Sequence, residues 1–456
     1  MKLRRMGLIV LMWILIMGVV QGGLAVFAGP LETAEASEEE NPSSSLWDDS
    51  QSDEQSDEER QEAEAFEIQE AEEPAASEPQ DKPQDSIEAS EEPKVDLAPN
   101  AKSAILMDVD TGTILFEKNI HEKVPPASIT KIMTMLLVME ALEQKKITLD
   151  EMVTASERAA SMGGSQIFLE AGEQMSVADL LKGVAMASGN DASVALAEKI
   201  AGSEEMFVQM MNKRAQELGM TNTRFMNSNG LPAENHYSTA HDIAIMSREL
   251  LRHELITEYT GKYQDYLRTD TENPFWLVNT NKLVRFYAGV DGLKTGYTSE
   301  AKFCLAATAK RDNMRVIAVV LGEPNTKTRN AEVAALFDYA FSQYGNLPIF
   351  KAGDEIGTFE VAKGEVKRIA ITAERPYSVL IRKGEDTEKI RHELVLEPKL
   401  EAPIQKGQPI GKIVVYKGEE KLTEFPLESP QDVNKAGWWT LFKRAAGKMF
   451  FVNEER

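Results

Sequence analysis

The chain has 456 residues, room for about two or three domains, and a formal net charge of −24 from 50 Lys+Arg against 74 Asp+Glu. Most of that charge lies in residues 31–97, where 25 acidic residues face only Arg60, Lys82 and Lys94, and an acidic chain without a basic face excludes nucleic acid as its partner. One cysteine, Cys304, excludes an internal disulfide framework and a cysteine-built zinc site, and five histidines without a His-Glu-x-x-His pattern exclude a zincin-type metalloprotease.

At the N-terminus, Lys2, Arg4 and Arg5 precede the apolar run Leu8 to Val20 and the small-residue exit Val26-Phe27-Ala28. This pattern predicts a signal peptide over 1–28. An uncleaved anchor is the alternative, but about 13 apolar residues fall short of the ~20 that a span needs. The protein is therefore expected to be exported. From 29 to 100 the composition turns to Glu, Ser, Gln, Ala and Pro, with Trp47 and Phe66 the only aromatics. Such a segment buries too little apolar surface to offset its ordering entropy, and is expected to be a disordered acidic linker.

Order is expected from Ala101. Ala104-Ile105-Leu106-Met107 and Ile114-Leu115-Phe116 flank Asp110-Thr111-Gly112, a β-hairpin pattern. Ser128 to Glu143 reads as a helix that is apolar on nearly every side, and so belongs in an interior. Helices are predicted at Val177–Met186, Asp191–Ala201 and Glu205–Leu218. Phe303–Ala309 and Arg315–Leu321 form a second hairpin through Arg311-Asp312-Asn313, and an amphipathic helix from Glu332 to Tyr344 follows. The layout predicts an α/β (α+β) domain over 101–347, an antiparallel sheet flanked by helices.

After Pro348, the short runs Ile369-Ala370-Ile371, Val379-Leu380-Ile381, Leu394-Val395-Leu396 and Ile413-Val414-Val415 alternate with Lys-Gly turns. They predict a small all-β domain over 348–428, without a catalytic cluster. The segment 433–452 reads as an amphipathic helix. Trp438, Trp439, Phe442, Ala445, Ala446, Met449 and Phe450 share one face, and Lys443, Arg444 and Lys448 lie off it. It is too short and too charged to span a bilayer but suits the membrane interface; a helix packed on its own domain is the plainer alternative.

The chemistry concentrates in the first domain. In Ser128-Ile129-Thr130-Lys131 the i, i+3 spacing puts hydroxyl and amine on one helical face. The helix start favours negative charge developing there. A lysine removes the serine proton only when neutral, a state promoted by burial and by a second cation. Ser188-Gly189-Asn190 falls between two helices, where a loop would aim both side chains into a cleft. Lys294-Thr295-Gly296 sits on a predicted strand: Lys294 supplies the second cation, Thr295 can bind a carboxylate, and Gly296 clears space for an added substrate strand. His236 and His241 are expected to be structural, and Cys304 a core residue.

Ser-x-x-Lys, Ser-x-Asn and Lys-Thr-Gly in this order are the signature set of penicillin-binding proteins and serine β-lactamases. Together with Phe225-Met226-Asn227, Gly230-Leu231 and Tyr237-Ser238-Thr239-Ala240, they make residues 101–345 resemble the low-molecular-mass D-alanyl-D-alanine carboxypeptidases. The β domain and terminal helix match that family's layout, and the acidic linker is not part of it. The resemblance implies a penicillin-binding/serine β-lactamase-like fold and a serine peptidase acting on peptidoglycan stem peptides through an acyl-enzyme, with β-lactam antibiotics as covalent inhibitors. It implies Ser128 as nucleophile and Lys131 as its base, Ser188 and Asn190 as proton relay and amide binder, and Lys294 and Thr295 as holders of the terminal carboxylate. The backbone N–H of Tyr297, where relatives often carry His, would complete an oxyanion hole with that of Ser128. Arg329 resembles the family arginine that assists with the carboxylate, against the alternative of a surface arginine at a helix start. No metal or cofactor is expected. The enzyme would sit on the outer face of the cytoplasmic membrane, held at the membrane surface by its C-terminal helix.

A D,D-endopeptidase is the nearest competing activity. A β-lactamase would need a Glu-x-x-Leu-Asn-like element between Asn190 and Lys294, which is absent. A penicillin sensor would need a second apolar span of ~20 residues, and the sequence has none.

Overall fold

Strands β1 (Ser103–Asp108), β2 (Ile114–Lys118), β3 (Val290–Thr298), β4 (Lys302–Arg311) and β5 (Met314–Glu323) form one antiparallel sheet in the order β2-β1-β5-β4-β3. The computed structural model describes residues 96–397 and 400–450, so the expected signal peptide and nearly all of the acidic linker lie outside the described residues. Both faces of the sheet are buried, and period-two alternation assigns each side chain to one of them. On β5, Ile317, Val319 and Leu321 face one core, and Val316, Ala318 and Val320 the other.

The first core is filled by helices α1 (Lys131–Glu143), α2 (Val177–Met186), α3 (Asn190–Ala201), α4 (Glu204–Glu217) and α5 (Ala240–Leu250). Helix α1 is buried at every position from Lys131 to Met139, as its all-round apolar sequence requires. The second core is covered by α6 (Thr326–Gln343) through Val333, Leu336, Phe337 and Ala340. This helix starts well before the predicted Glu332, because Asn325 caps it by accepting from Thr328 N at 2.8 Å. Helix α5 was not read from the sequence. Thr239 caps it in the same way, accepting from Asp242 N at 3.1 Å.

From Tyr344 onward the chain is β-rich. Strands β6 (Tyr344–Phe350), β7 (Glu355–Glu360), β8 (Arg368–Thr372), β9 (Tyr377–Arg382), β10 (Ile390–Leu396), β11 (Pro409–Lys417) and β12 (Glu420–Glu428) pair in small antiparallel sheets. They enclose their own core of Ile369, Ile371, Ile410, Ile413, Val415, Phe425 and Leu427. Strand β6 crosses the boundary expected at 347 and pairs with β9, so the first β-rich strand follows α6 directly. Helix α7 (Trp438–Phe450) ends the described chain. Among the described residues no helix is long and apolar enough to cross a membrane.

Candidate active site

Ser128 lies in a 3₁₀ turn, Ala127–Thr130, that runs directly into α1. The turn is held from two sides by glycines. Gly230 (φ +90°) approaches so closely that a Cβ there would fall 1.9 Å from the Ala127 carbonyl oxygen. On β3, a Cβ at Gly296 would meet Ile129 Cγ1 at 3.1 Å, Pro126 O at 3.2 Å and Ala127 Cβ at 3.3 Å. The clearance at Gly296 therefore admits the serine-bearing turn, rather than a substrate strand as the sequence suggested. Gly230→Ala should strain the turn and misplace Ser128, slowing its acylation about 10²-fold with a lowered Tm. Penicillin labelling rate and thermal melting check this; wild-type values for both would show that the turn relaxes around a side chain.

Lys131 is fully buried one helical turn from Ser128. Its Nζ lies 3.0 Å from Ser128 Oγ, 2.7 Å from Asn190 Oδ1 and 2.6 Å from the Asn229 carbonyl oxygen. The last two can only accept. A neutral amine has two N–H donors and one lone pair, so when both donors are used on Asn190 and Asn229 the lone pair is left facing the serine hydroxyl. Burial, and then the charge of Lys294, hold the Lys131 amine well below the ordinary lysine value, against a smaller opposing effect of Asp191. The site thus favours the base form.

Asn190 opens α3 instead of standing in a loop, and its amide is engaged at both ends. Nδ2 donates to Gly163 O at 2.7 Å while Oδ1 accepts from Lys131. Ser188 precedes it in the left-handed region (φ +61°) and is buried. The next residue, Asp191, accepts from the backbone N–H groups of Ile167 and Leu169. Its carboxylate ties the 163–169 loop to the start of α3, and so fixes the carbonyl that orients Asn190.

Lys294 is buried on β3 and donates to Thr295 O at 3.0 Å. Burial, and then the charge of Arg329, lower its amine to about 7. Thr295 Oγ1 donates to Thr280 Oγ1 at 2.8 Å. Arg329 is 4% exposed, which is incompatible with a surface arginine. Tyr297 is exposed and packs on Phe303, with ring centroids 4.5 Å apart. Strand β3 is the edge of the sheet, so one side of its backbone is open to an added strand. His236 Nε2 lies 3.0 Å from Thr130 Oγ1, and burial lowers the imidazole to about 4, so it is neutral at physiological pH.

Residues 88–325 match the family described as D-alanyl-D-alanine carboxypeptidase, and residues 344–435 match the C-terminal domain of penicillin-binding protein 5. The D-alanyl-D-alanine carboxypeptidase DacF of Bacillus subtilis (strain 168) is 54% identical over 352 residues, covering 77% of this chain and 90% of the relative. The chain belongs to the D-alanyl-D-alanine carboxypeptidase family. DacC of Escherichia coli (strain K12) is 37% identical over 355 residues, covering 76% of this chain and 86% of the relative. Among solved structures, penicillin-binding protein 5 from Haemophilus influenzae aligns at TM-score 0.58 and 35% identity, covering 74% of this chain and 98% of that one. This carboxypeptidase therefore has a penicillin-binding fold, an antiparallel sheet with helices followed by a β-rich region. Sequence reasoning missed three residues of its site: Asn229, Gly230 in its packing role, and Asp191. Asn229 acts through a backbone carbonyl, which leaves no side-chain signal. Gly230 lay within a stretch quoted for the resemblance and Asp191 began a predicted helix, and neither was given this role.

Proposed function

We propose that the enzyme removes the terminal D-alanine of peptidoglycan stem pentapeptides through an acyl-enzyme on Ser128. The observation that carries the mechanism is the buried Lys131 amine, 3.0 Å from Ser128 Oγ and donating on its other sides to Asn190 and Asn229. Lys131 takes the hydroxyl proton as Oγ bonds to the penultimate carbonyl carbon, and the N–H groups of Ser128 and Tyr297 receive the oxyanion. The C–N bond to the terminal D-alanine breaks, and its amine leaves with a proton relayed through Ser188. Water then cleaves the ester and restores the serine. Lys294, Thr295 and Arg329 hold the terminal carboxylate. A β-lactam presents its strained amide in place of the D-Ala-D-Ala bond and stays on Ser128. Digestion of purified muropeptides tests this reading: loss of one D-alanine from pentapeptides is expected, whereas cleavage of cross-links alone would favour an endopeptidase.

The reading of the chain ends belongs to the same proposal. Residues 1–28 direct export, 29–100 act as a solvated spacer, and α7 rests on the outer surface of the cytoplasmic membrane. Support comes from α7 itself: Trp438, Trp439 and Phe442 are 74%, 56% and 52% exposed, and Trp438 and Phe442 stack at 5.7 Å. Arg444, off that face, donates to Gly364 O at 2.6 Å and Glu365 O at 2.8 Å. The helix is thus tied to the β-rich region while Trp438, Trp439 and Phe442 point outward, an arrangement suited to the bilayer interface. Truncation after Asp432 should move active protein from the membrane to the soluble fraction; continued sedimentation would place the anchor at the N-terminus.

A further inference from the structure

Glu323 is a buried carboxyl that the mechanism does not use. It ends β5, is fully buried, and among the described residues no N–H or O–H donates to either of its oxygens. The group within its hydrogen-bond reach is a second carboxyl, Glu332 on α6. Glu332 already has donors of its own. Asn100 N at 2.9 Å and Asn100 Nδ2 at 2.7 Å reach its Oε1, and Ala101 N at 3.2 Å reaches its Oε2.

Two carboxylates this close and this dry cannot both ionise without a donor between them. One proton removes the conflict. Held on Glu323, it neutralises that carboxyl and gives the Glu332 anion a further hydrogen bond. The other charged or titratable groups around Glu323 do not take its place. Lys118 on β2 directs its amine to Ala98 O at 2.7 Å and Pro99 O at 2.9 Å. Lys102, ahead of β1, pairs with Glu122 at 3.0 Å. Cys304 on β4 is a neutral thiol, pushed up to about 11 by burial. Burial, and then Glu332, push the Glu323 carboxyl up to about 8, against smaller opposing effects of Lys118 and Arg329.

Arg329 links this pair to the active site. It lies three residues before Glu332 on α6 and is itself buried. Its charge lowers the Lys294 amine on one side and opposes the raised Glu323 value on the other, so its field reaches both. An ionised Glu323 would cancel part of that field.

We propose that Glu323 and Glu332 share one proton, and that Glu323 is a positioning residue for Arg329: neutral, it leaves the guanidinium charge to the substrate carboxylate, and ionised, it draws the guanidinium away. This role rests on the carboxypeptidase reading for the carboxylate that Arg329 meets, and adds to it the group that governs the arginine.

The test compares the full chain with Glu323→Gln, which keeps a donor for Glu332 and has no charge to gain. The infrared difference between the two at pH 7 should contain one protonated carboxyl band from the wild type, fading with a midpoint of about 8. Glu332→Gln should move that midpoint to lower pH. With a D-Ala-D-Ala pentapeptide, KM should be alike in wild type and Glu323→Gln at pH 6, and about threefold lower in the variant at pH 9, with kcat little changed. The Lys294 titration is common to both proteins and cancels. Thermal melting gives an independent sign. A carboxyl raised in the fold contributes stability that is complete below its ordinary value of 4.5 and is lost as pH rises to about 8. The Tm of Glu323→Gln should therefore gain on that of the wild type between pH 5 and pH 8. Absence of the protonated band, or a midpoint indifferent to Glu332, would overturn the shared proton; equal KM at pH 9 would overturn the action through Arg329. Benzylpenicillin also carries a carboxylate, and its labelling rate gives the same comparison without turnover. A threefold labelling difference at pH 9 in a chain that releases no D-alanine would overturn the carboxypeptidase reading and leave the proposal standing.

Discussion

Replacing Ser128 with alanine should abolish covalent labelling by penicillin and lower D-alanine release on the order of 10⁶-fold, the scale seen when a serine hydrolase loses its nucleophile. No other group in the site can take over. Lys131 is the nearest candidate, but its amine is fully buried and held by Asn190 and Asn229. Ser188 and Thr295 carry the other hydroxyls of the signature residues, and the proposed mechanism gives them a proton relay and a carboxylate contact instead. The fold should survive. The serine side chain is only half-buried, and its hydroxyl interacts with Lys131, which keeps two other partners. Intact-protein mass after penicillin treatment, read with a thermal melt, decides the matter. A retained adduct in a normally folded variant would move the nucleophile elsewhere.

The parts of this site that could be read from sequence are those where chemistry dictates a residue type at a fixed offset. The i, i+3 spacing of Ser128 and Lys131 is such a case, and so is the run Lys294-Thr295-Gly296 on a strand. Groups that act through the backbone were hidden. The Asn229 carbonyl completes the environment of Lys131, yet any residue type supplies a carbonyl. Gly230 and Gly296 stood out as glycines, but which neighbour each one admits depends on how the 230 loop and β3 meet the Ser128 turn. For Arg329 the sequence left a surface position at a helix start as the alternative to its carboxylate role; the docking of α6 onto the sheet buries it. In the β-rich region the run at 369 carried signal because it buries alternating residues, and those at 379 and 413 because they are short and wholly apolar. By contrast β7 alternates only weakly, and β12 has a proline at Pro426 in an otherwise mixed run. Pairing with neighbours, more than intrinsic pattern, sets such strands.

Lys131→Met should slow acylation of Ser128 by ~10²–10⁴-fold, the usual contribution of a positioned general base. Methionine keeps much of the stem volume, so the loss can be assigned to the amine. The wild-type pH profile should carry the same signature. Acylation rises as Lys131 loses its proton, and burial together with Lys294 places that step well below the ordinary lysine value of 10.5. Lys294 sets the other limb. Its amine titrates at about 7 in the free enzyme, and its loss of charge both weakens the hold on the substrate carboxylate and raises the Lys131 value again. The alkaline limb of kcat/KM should therefore fall near neutrality. In kcat it should lie at higher pH, because a bound carboxylate stabilises the Lys294 cation. Lys294→Arg, which cannot lose its charge, should remove that limb. Stability provides an independent check of sign. Both lysines are held below 10.5 in the fold, so between the folded and unfolded values the unfolded chain binds more protons. Their contribution is complete above about pH 10.5 and is lost as pH falls, down to about 7 for Lys294. Lys131→Met should consequently gain stability relative to wild type on going from pH 10.5 to pH 7. Whatever the lost hydrogen bonds to Asn190 and Asn229 cost is constant across that range. Urea denaturation at the two pH values measures the difference, and an unchanged difference would mean that Lys131 is not held neutral by its burial.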